Sequence, residues 1–194
     1  MYIPRHFEIR DRDEILSFVE THAFGQLIST HQGRLYSTHM PFLLSDDKTT
    51  LLGHVAKNNP QHQDIESQEV MVTLEGPHDY ISPSWYSVQG VPTWNYQAVH
   101  IYGHCKVSTD PNKIISIIET LTKKNETKFE TPWLAQYPAS MLGAIVAIDI
   151  SIDELQCKYK LSQNRSDLDC DQVIAQLDEA GSSGLATAMK VSRH

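Results

Sequence analysis

The side chains best suited to hold a flat ring are concentrated in Tyr80–Tyr96 (YISPSWYSVQGVPTWNY). This stretch carries Trp85 and Trp94, two of the three tryptophans, with Tyr80, Tyr86 and Tyr96, three of the eight tyrosines. Each offers a large apolar face with one polar tip. Pro83 and Pro92 fix φ and remove backbone donors, so neither aromatic cluster belongs in the middle of a ladder. Stiff backbone beneath clustered rings suits a wall for a planar ligand. It suits an aromatic mini-core under a crossover loop equally well, because pockets and cores draw on the same residues.

A second chemistry is anion binding. In Leu51–Gln61 (LLGHVAKNNPQ) an apolar strand gives way to Lys57-Asn58-Asn59, with Asn59 as N-cap and Pro60 as the first helical residue. Free N–H groups at a helix start and the charge of Lys57 suit a phosphate; a capped turn with a solvated lysine explains the same residues. Upstream, Thr38-His39-Met40-Pro41 places a proline where a ladder must stop. Amides freed there can meet a ring edge, or the proline can protect an edge strand from aggregation. Downstream, Lys158–Arg165 (KYKLSQNR) is a basic island in an acidic chain. Lys158 and Lys160 share a strand face, and Gln163 and Asn164 add amide donors. The island fits an anion or a pyrimidine edge, or a charged strand end.

Other chemistries are excluded by spacing. His100 and His104 fall in a strand, which separates them by roughly 13 Å, too far to share one metal ion. No H-E-x-x-H occurs among the ten histidines. No G-x-S-x-G elbow, G-x-G-x-x-G fingerprint or Walker A loop is present. The three cysteines (Cys105, Cys157, Cys170) form no C-x-x-C pair and read as reduced thiols.

The elements that must position these groups are mostly strands. Asp11 caps a helix carrying Ile15, Phe18, Val19 and His22, with Glu14 completing a capping box. Gln26–Thr30 and Arg34–Leu44 form a hairpin about His31-Gln32-Gly33. Strands follow at Thr49–Ala56, Glu69–Gly76, Trp94–Ser108, Ala144–Ile152 and Gln156–Ser162. Asp110-Pro111 starts an Ile-rich helix through Leu121, wide enough in its apolar face to be buried on two sides. A short helix is expected at Pro138–Leu142 and a last one at Asp169–Ala180, followed by a fraying polar tail. Short connections predict an α+β, β-dominated antiparallel barrel with peripheral helices: one domain over residues 1–180 and a flexible tail over 181–194.

Sixteen basic against 24 acidic residues give a net charge of −8. No Lys/Arg run exceeds Lys123-Lys124, so direct nucleic-acid binding is not expected. The absence of an apolar leader or spanning segment points to a cytoplasmic protein that does not enter the membrane.

The motifs MYIPRHF, THMPFLL, LLGHVAKNNPQ, GPHDYISPSWY, VPTWNYQAVHIYG and KLSQNR, in this order, resemble the PaiB-like FMN-binding family, whose members are often labelled negative transcriptional regulators. The resemblance spans roughly Met1 to Leu177. It implies an FMN-binding split β-barrel, with the flavin at the interface of a homodimer. By motif, Thr38, His39, Met40 and Pro41 then line the flavin, and His54, Val55, Ala56, Lys57 and Asn58 take ring edge and phosphate. Trp85, Tyr86, Trp94, Asn95 and Tyr96 form the aromatic wall, partly from the partner subunit. Lys160, Gln163 and Arg165 reach the flavin or the dimer seam. The family's longer, Lys-containing loop between the two aromatic motifs is cut here to Ser87–Gly90, which implies a more open pocket and weaker flavin occupancy.

Three functions compete at this level. A flavin-dependent oxidoreductase or flavin carrier would leave the electron chemistry to FMN; no catalytic residue stands out beyond His39 and His54. A negative regulator would act indirectly or through a partner, because no basic recognition helix is present. A haem-binding split barrel would need one axial histidine.

Overall fold

The computed structural model describes residues 1–133 and 136–193. These form two compact units: Met1–Ile15, Glu75–Val99 and Gln156–His194 in one, Leu16–Leu74 and His100–Leu155 in the other. The strands are β1 (Glu8–Ile9), β2 (Phe24–His31), β3 (Arg34–Pro41), β4 (Leu43–Leu44), β5 (Thr50–Ala56), β6 (Glu69–Ile81), β7 (Thr93–Ser108), β8 (Ile145–Ser151) and β9 (Glu154–Lys160). The helices are α1 (Arg12–Thr21), α2 (Pro111–Glu126), α3 (Ala139–Leu142), α4 (Asp167–Glu179) and α5 (Ser183–Val191). Every pairing with a described register is antiparallel. The hydrogen-bonded order β3-β2-β6-β7-β8-β5-β4 is an open path among the described residues, with β9 pairing β1 and β7.

In the larger unit, β2 and β3 meet at Gln32 and Gly33, both at positive φ (50° and 76°). Their left-handed geometry matches the twist of the paired strands. β3 does not run on to Leu44 as the sequence suggests. Pro41 has no N–H to continue the ladder, and Phe42 turns away to donate to the Ala23 carbonyl at 2.7 Å. The chain resumes as β4, where Leu43 faces Leu52 of β5. β5 then pairs with β8 along its whole length, from Thr50↔Ser151 to Ala56↔Ile145. Gly103 of β7 lies so close to β8 that a Cβ there would sit 1.7 Å from the Ser151 carbonyl oxygen.

Asp110 caps α2 through the Asn112 N–H at 3.0 Å. Ile114, Ile117 and Leu121 of this helix pack with Leu43 and Ala147, and Leu52, Leu142 and Ile145 close around them. Ile115 is only half-buried, and Ser116, Glu119 and Thr120 are exposed. The helix therefore buries one stripe rather than two sides; its extra isoleucine sits at the stripe's margin.

In the smaller unit, β1 pairs β9 through Glu8↔Lys158 and Ile9↔Cys157. Asp11 caps α1 by accepting the Glu14 N–H at 2.9 Å. Ser166 caps α4, accepting from Asp169 N at 3.2 Å, so the helix starts at Asp167, two residues before the expected start. Beyond Gly181 (φ 86°), where the sequence suggests a fraying tail, the chain forms α5. Leu185, Ala186 and Met189 are buried there, as are Val173 and Leu177 of α4. Small residues at three- and four-residue spacing supply a helix face that composition alone conceals.

Candidate functional site

The larger unit contains a cavity of about 550 Å³ over β5, α2 and α3. That volume suits a small-molecule ligand. Pro41 and His54 line it beside Ile118, Leu121, Leu142 and Ile145, with Trp133 and Tyr137 adding aromatic faces. The two rings meet edge to face, 5.9 Å apart at 72°. Polar groups are few and mostly tethered. Thr122 Oγ1 and Tyr137 OH share a hydrogen bond of 2.8 Å, and Asn125 donates to Leu121 O at 2.9 Å. Glu126 Oε2 accepts the Trp133 N–H at 2.7 Å.

His54 differs from these. Its Nδ1 is sealed from solvent with no hydrogen-bond partner among the described residues. Burial pushes its pKa below the usual histidine range, so the ring is neutral at pH 7.

The other predicted residues of this unit divide by strand face. Met40 and Val55 are buried, and Met40 packs beneath Gly53, where a Cβ would meet its Cε at 2.4 Å. Thr38 is a structural latch: its hydroxyl donates to Gln61 Oε1 at 2.6 Å and accepts from Asn59 Nδ2 at 2.8 Å. Buried Gln61 in turn donates to Ser29 Oγ at 2.8 Å and Leu27 O at 3.1 Å. His39 is exposed and stacks on Phe24, with centroids 6.4 Å apart. Ala56, Lys57 and Asn58 are exposed at the end of β5. The Lys57 N–H bonds Ala144 O at 2.8 Å, next to the cavity-lining Ile145.

The helix start proposed at Pro60 is a short 3-10 turn, Pro60–Gln63, and Asn59 already accepts its Gln61 N–H at 3.0 Å. The anion character of this junction therefore rests on the charge of Lys57, with little from a helix dipole.

In the smaller unit, Trp94 is exposed and meets Tyr80 edge to face at 6.2 Å. Trp85 and Tyr86 lie in and after a 3-10 turn capped by Ser82. Asn95 is fully buried; its Nδ2 donates to Ser162 Oγ at 2.9 Å and approaches Met189 Sδ at 3.5 Å. It braces Ser162, which sits at φ 68°, while its buried Oδ1 has no hydrogen-bond partner among the described residues. Lys160 Nζ donates to Thr93 Oγ1 and Trp94 O, each at 2.6 Å. Gln163 bridges the turn through Tyr159 O and Leu161 N, and Arg165 stacks on Tyr86 at 4.3 Å. The shortened loop is clamped: Ser87 N–H and Oγ both donate to Asp169 Oδ1 at 2.7 Å. Those bonds hold the Asp169 carboxyl below the usual carboxylate range.

Comparison with known proteins places this geometry. The model of the family described as "Putative FMN-binding domain" matches residues 1–154. The chain belongs to this FMN-binding family. The Protease synthase and sporulation protein PAI 2 of Bacillus subtilis (strain 168) is 40% identical over 185 residues, covering 91% of this chain and 89% of that protein. An uncharacterised protein of Emericella nidulans is 31% identical over 84% of each chain. Among solved structures, the flavocytochrome Anf3 from Azotobacter vinelandii aligns with a TM-score of 0.63 at 16% identity, over 81% of this chain and 72% of that one. The FAD and heme binding protein from Mycobacterium smegmatis gives 0.62 at 13% identity, over 84% and 78%. These likenesses establish the split-barrel fold.

The cavity of this FMN-binding domain fits a flavin chemically. It has an apolar slot, two aromatic faces, one neutral imidazole and a lysine at the end of the adjoining strand. Sequence reasoning missed Thr122, Asn125, Trp133 and Tyr137. One signal was present: TPWLAQYP repeats the proline–aromatic composition of SPSWY.

Proposed function

We infer that the chain is an FMN-dependent redox protein. The isoalloxazine ring would occupy the cavity lined by Pro41, His54, Trp133 and Tyr137, and the phosphate would lie towards Lys57 and Asn58. The observation that carries this reading is the cavity itself, lined mostly by apolar and aromatic side chains with a few tethered polar groups and the His54 imidazole at one wall. Bound FMN supplies hydride or single-electron transfer. The protein's own residues would orient the ring, keep water from its apolar face and present the His54 imidazole to it. The described lining holds no pair of free acid–base groups, so the flavin carries the redox step. A second copy of the chain would complete the site, as the family resemblance implies; sedimentation of the loaded protein as a dimer would support this.

A regulatory role, suggested by the family label and by the name of the Bacillus relative, would act through a partner rather than through DNA. A net charge of −8 argues against a phosphate-backbone interface. Haem is the second reading, because it would need one axial histidine and His54, neutral by burial, lines the cavity.

The test is an absorption titration with FMN beside one with haem, followed by anaerobic addition of NADH or NADPH. Perturbed flavin bands with quenched emission, saturating at one FMN per chain and bleached by the nicotinamide, would support the redox reading. A Soret band lost in His54→Phe, without a flavin response, would replace it with haem.

A further inference from the structure

The described lining of the cavity beside α2 contains one full charge at pH 7, the carboxylate of Glu126. No Lys or Arg is among those residues, and burial keeps His54 neutral. Glu126 is tied to the aromatic wall. Its Oε2 accepts the Trp133 N–H at 2.7 Å, and Thr122 Oγ1, one turn earlier on the same helix, shares a 2.8 Å hydrogen bond with Tyr137 OH. Residues four apart on a helix lie on one face, so α2 pins Trp133 and Tyr137 to one side of itself. The rings meet at 72° with centroids 5.9 Å apart, which makes a corner rather than a stack. In that arrangement one ring presents its edge, and both of its faces stay free of the other ring.

Each part of this corner carries negative potential. Aromatic faces present the negative lobe of the ring quadrupole. α2 ends at Glu126, so the negative end of its dipole falls beside the carboxylate. The cations of the same region are directed elsewhere. Lys124 Nζ donates to Glu20 O at 2.7 Å, and Lys128 Nζ lies 5.4 Å from the Phe129 centroid. Lys123 is exposed and outside the described lining. Holding the Trp133 N–H needs only an acceptor oxygen, which a glutamine would supply as well. The charge of Glu126 is surplus to that role.

We propose that Glu126, Trp133 and Tyr137 form a binding site for a small organic cation that carries alkyl groups on its charged nitrogen. Ring faces attract such a cation, and the carboxylate neutralises it. A bare ammonium is compact and strongly hydrated, so it gives up more on leaving water than an alkylated nitrogen does. The alkyl groups would lie against Ile118, Leu121, Leu142 and Ile145, the apolar part of the same lining. The site stands without a flavin. With FMN bound as inferred above, the cation is the class of molecule that would share the cavity with the isoalloxazine ring.

The test titrates the full-length protein with choline and, separately, with neohexyl alcohol, its neutral carbon isostere. Binding is followed by calorimetry and by the line width of the ligand methyl protons. Saturable choline binding at one per chain is expected, with the alcohol weaker by about tenfold or more. Glu126→Gln keeps an acceptor for the Trp133 N–H but removes the charge. It should weaken choline about tenfold and leave the alcohol unchanged, with the same far-UV circular dichroism and melting temperature. Trp133→Leu should weaken choline by a similar factor. Failure to saturate, equal affinity for the two probes, or choline binding that Glu126→Gln leaves unchanged overturns the site. Repeating the titration with FMN separates this site from the flavin reading. FMN binding without choline binding overturns the cation site alone. Choline binding through Glu126 in a protein that takes no FMN overturns the flavin reading alone.

Discussion

The cavity beside α2 and the cation face around β9 solve opposite problems with similar residues. Both combine aromatic rings with a few polar groups. In the cavity, Trp133 and Tyr137 stand beside apolar side chains, and burial lowers the pKa of His54. Around β9, Tyr2, Phe7, Tyr86 and Tyr96 face Lys158, Lys160 and Arg165, and the two lysines donate to the carbonyl oxygens of Tyr2 and Trp94. The first environment is mostly apolar, the second positively charged. Ring count therefore does not predict ligand type; what the rings are packed against does.

The comparison is tested first by stability. Leu121 is buried in the core cluster and also lines the cavity. Leu121→Ala should lower the urea unfolding free energy by about 2–4 kcal/mol, from lost burial plus the void left behind. Trp94→Ala, at an exposed ring of the cation face, should lower it by no more than about 1.5 kcal/mol. Equal losses would erase the distinction between a packed pocket and a solvent-facing surface.

Ligand discrimination gives a smaller effect. Lys57→Ala should weaken FMN about tenfold, roughly 1.4 kcal/mol, and leave riboflavin unchanged, because only FMN carries the phosphate. Equal weakening of both would move the phosphate away from β5.

The smallest effect is in pH dependence. His54 has a folded pKa below its unfolded value of about 6.5, so the unfolded chain binds the extra proton first. Its contribution is full above that pH and declines as pH falls towards the folded pKa. His54→Phe should flatten this part of the stability–pH curve. An unchanged slope between about pH 6.5 and 5 would show that the imidazole charges freely in the folded protein.

Local signals were legible wherever they were self-sufficient. Asp11 and Asp110 were recognisable caps, because the capping bond spans two or three residues. Gln32-Gly33 was a readable turn, since glycine tolerates the positive φ required. The strands came through by alternation, and α2 by its isoleucines. The Ser182–Val191 region was not legible as a helix. Its apolar face is made of Leu185, Ala186 and Met189, too small a signal until α4 lies against it.

The sequence by itself determined the family, the antiparallel strand content and the residue types available for a flavin or an anion. Motif order and hydrophobic alternation are properties of the chain, and they survive without coordinates. Only the tertiary structure decided where each of those residues lies. It turned Met40 and Val55 into the core and made Thr38 and Asn95 braces. It brought Trp133 and Tyr137 to the cavity with His54, from more than seventy residues away in the chain. Strand face, burial and counter-charge are set by packing, and they alone separate a ligand contact from a structural one.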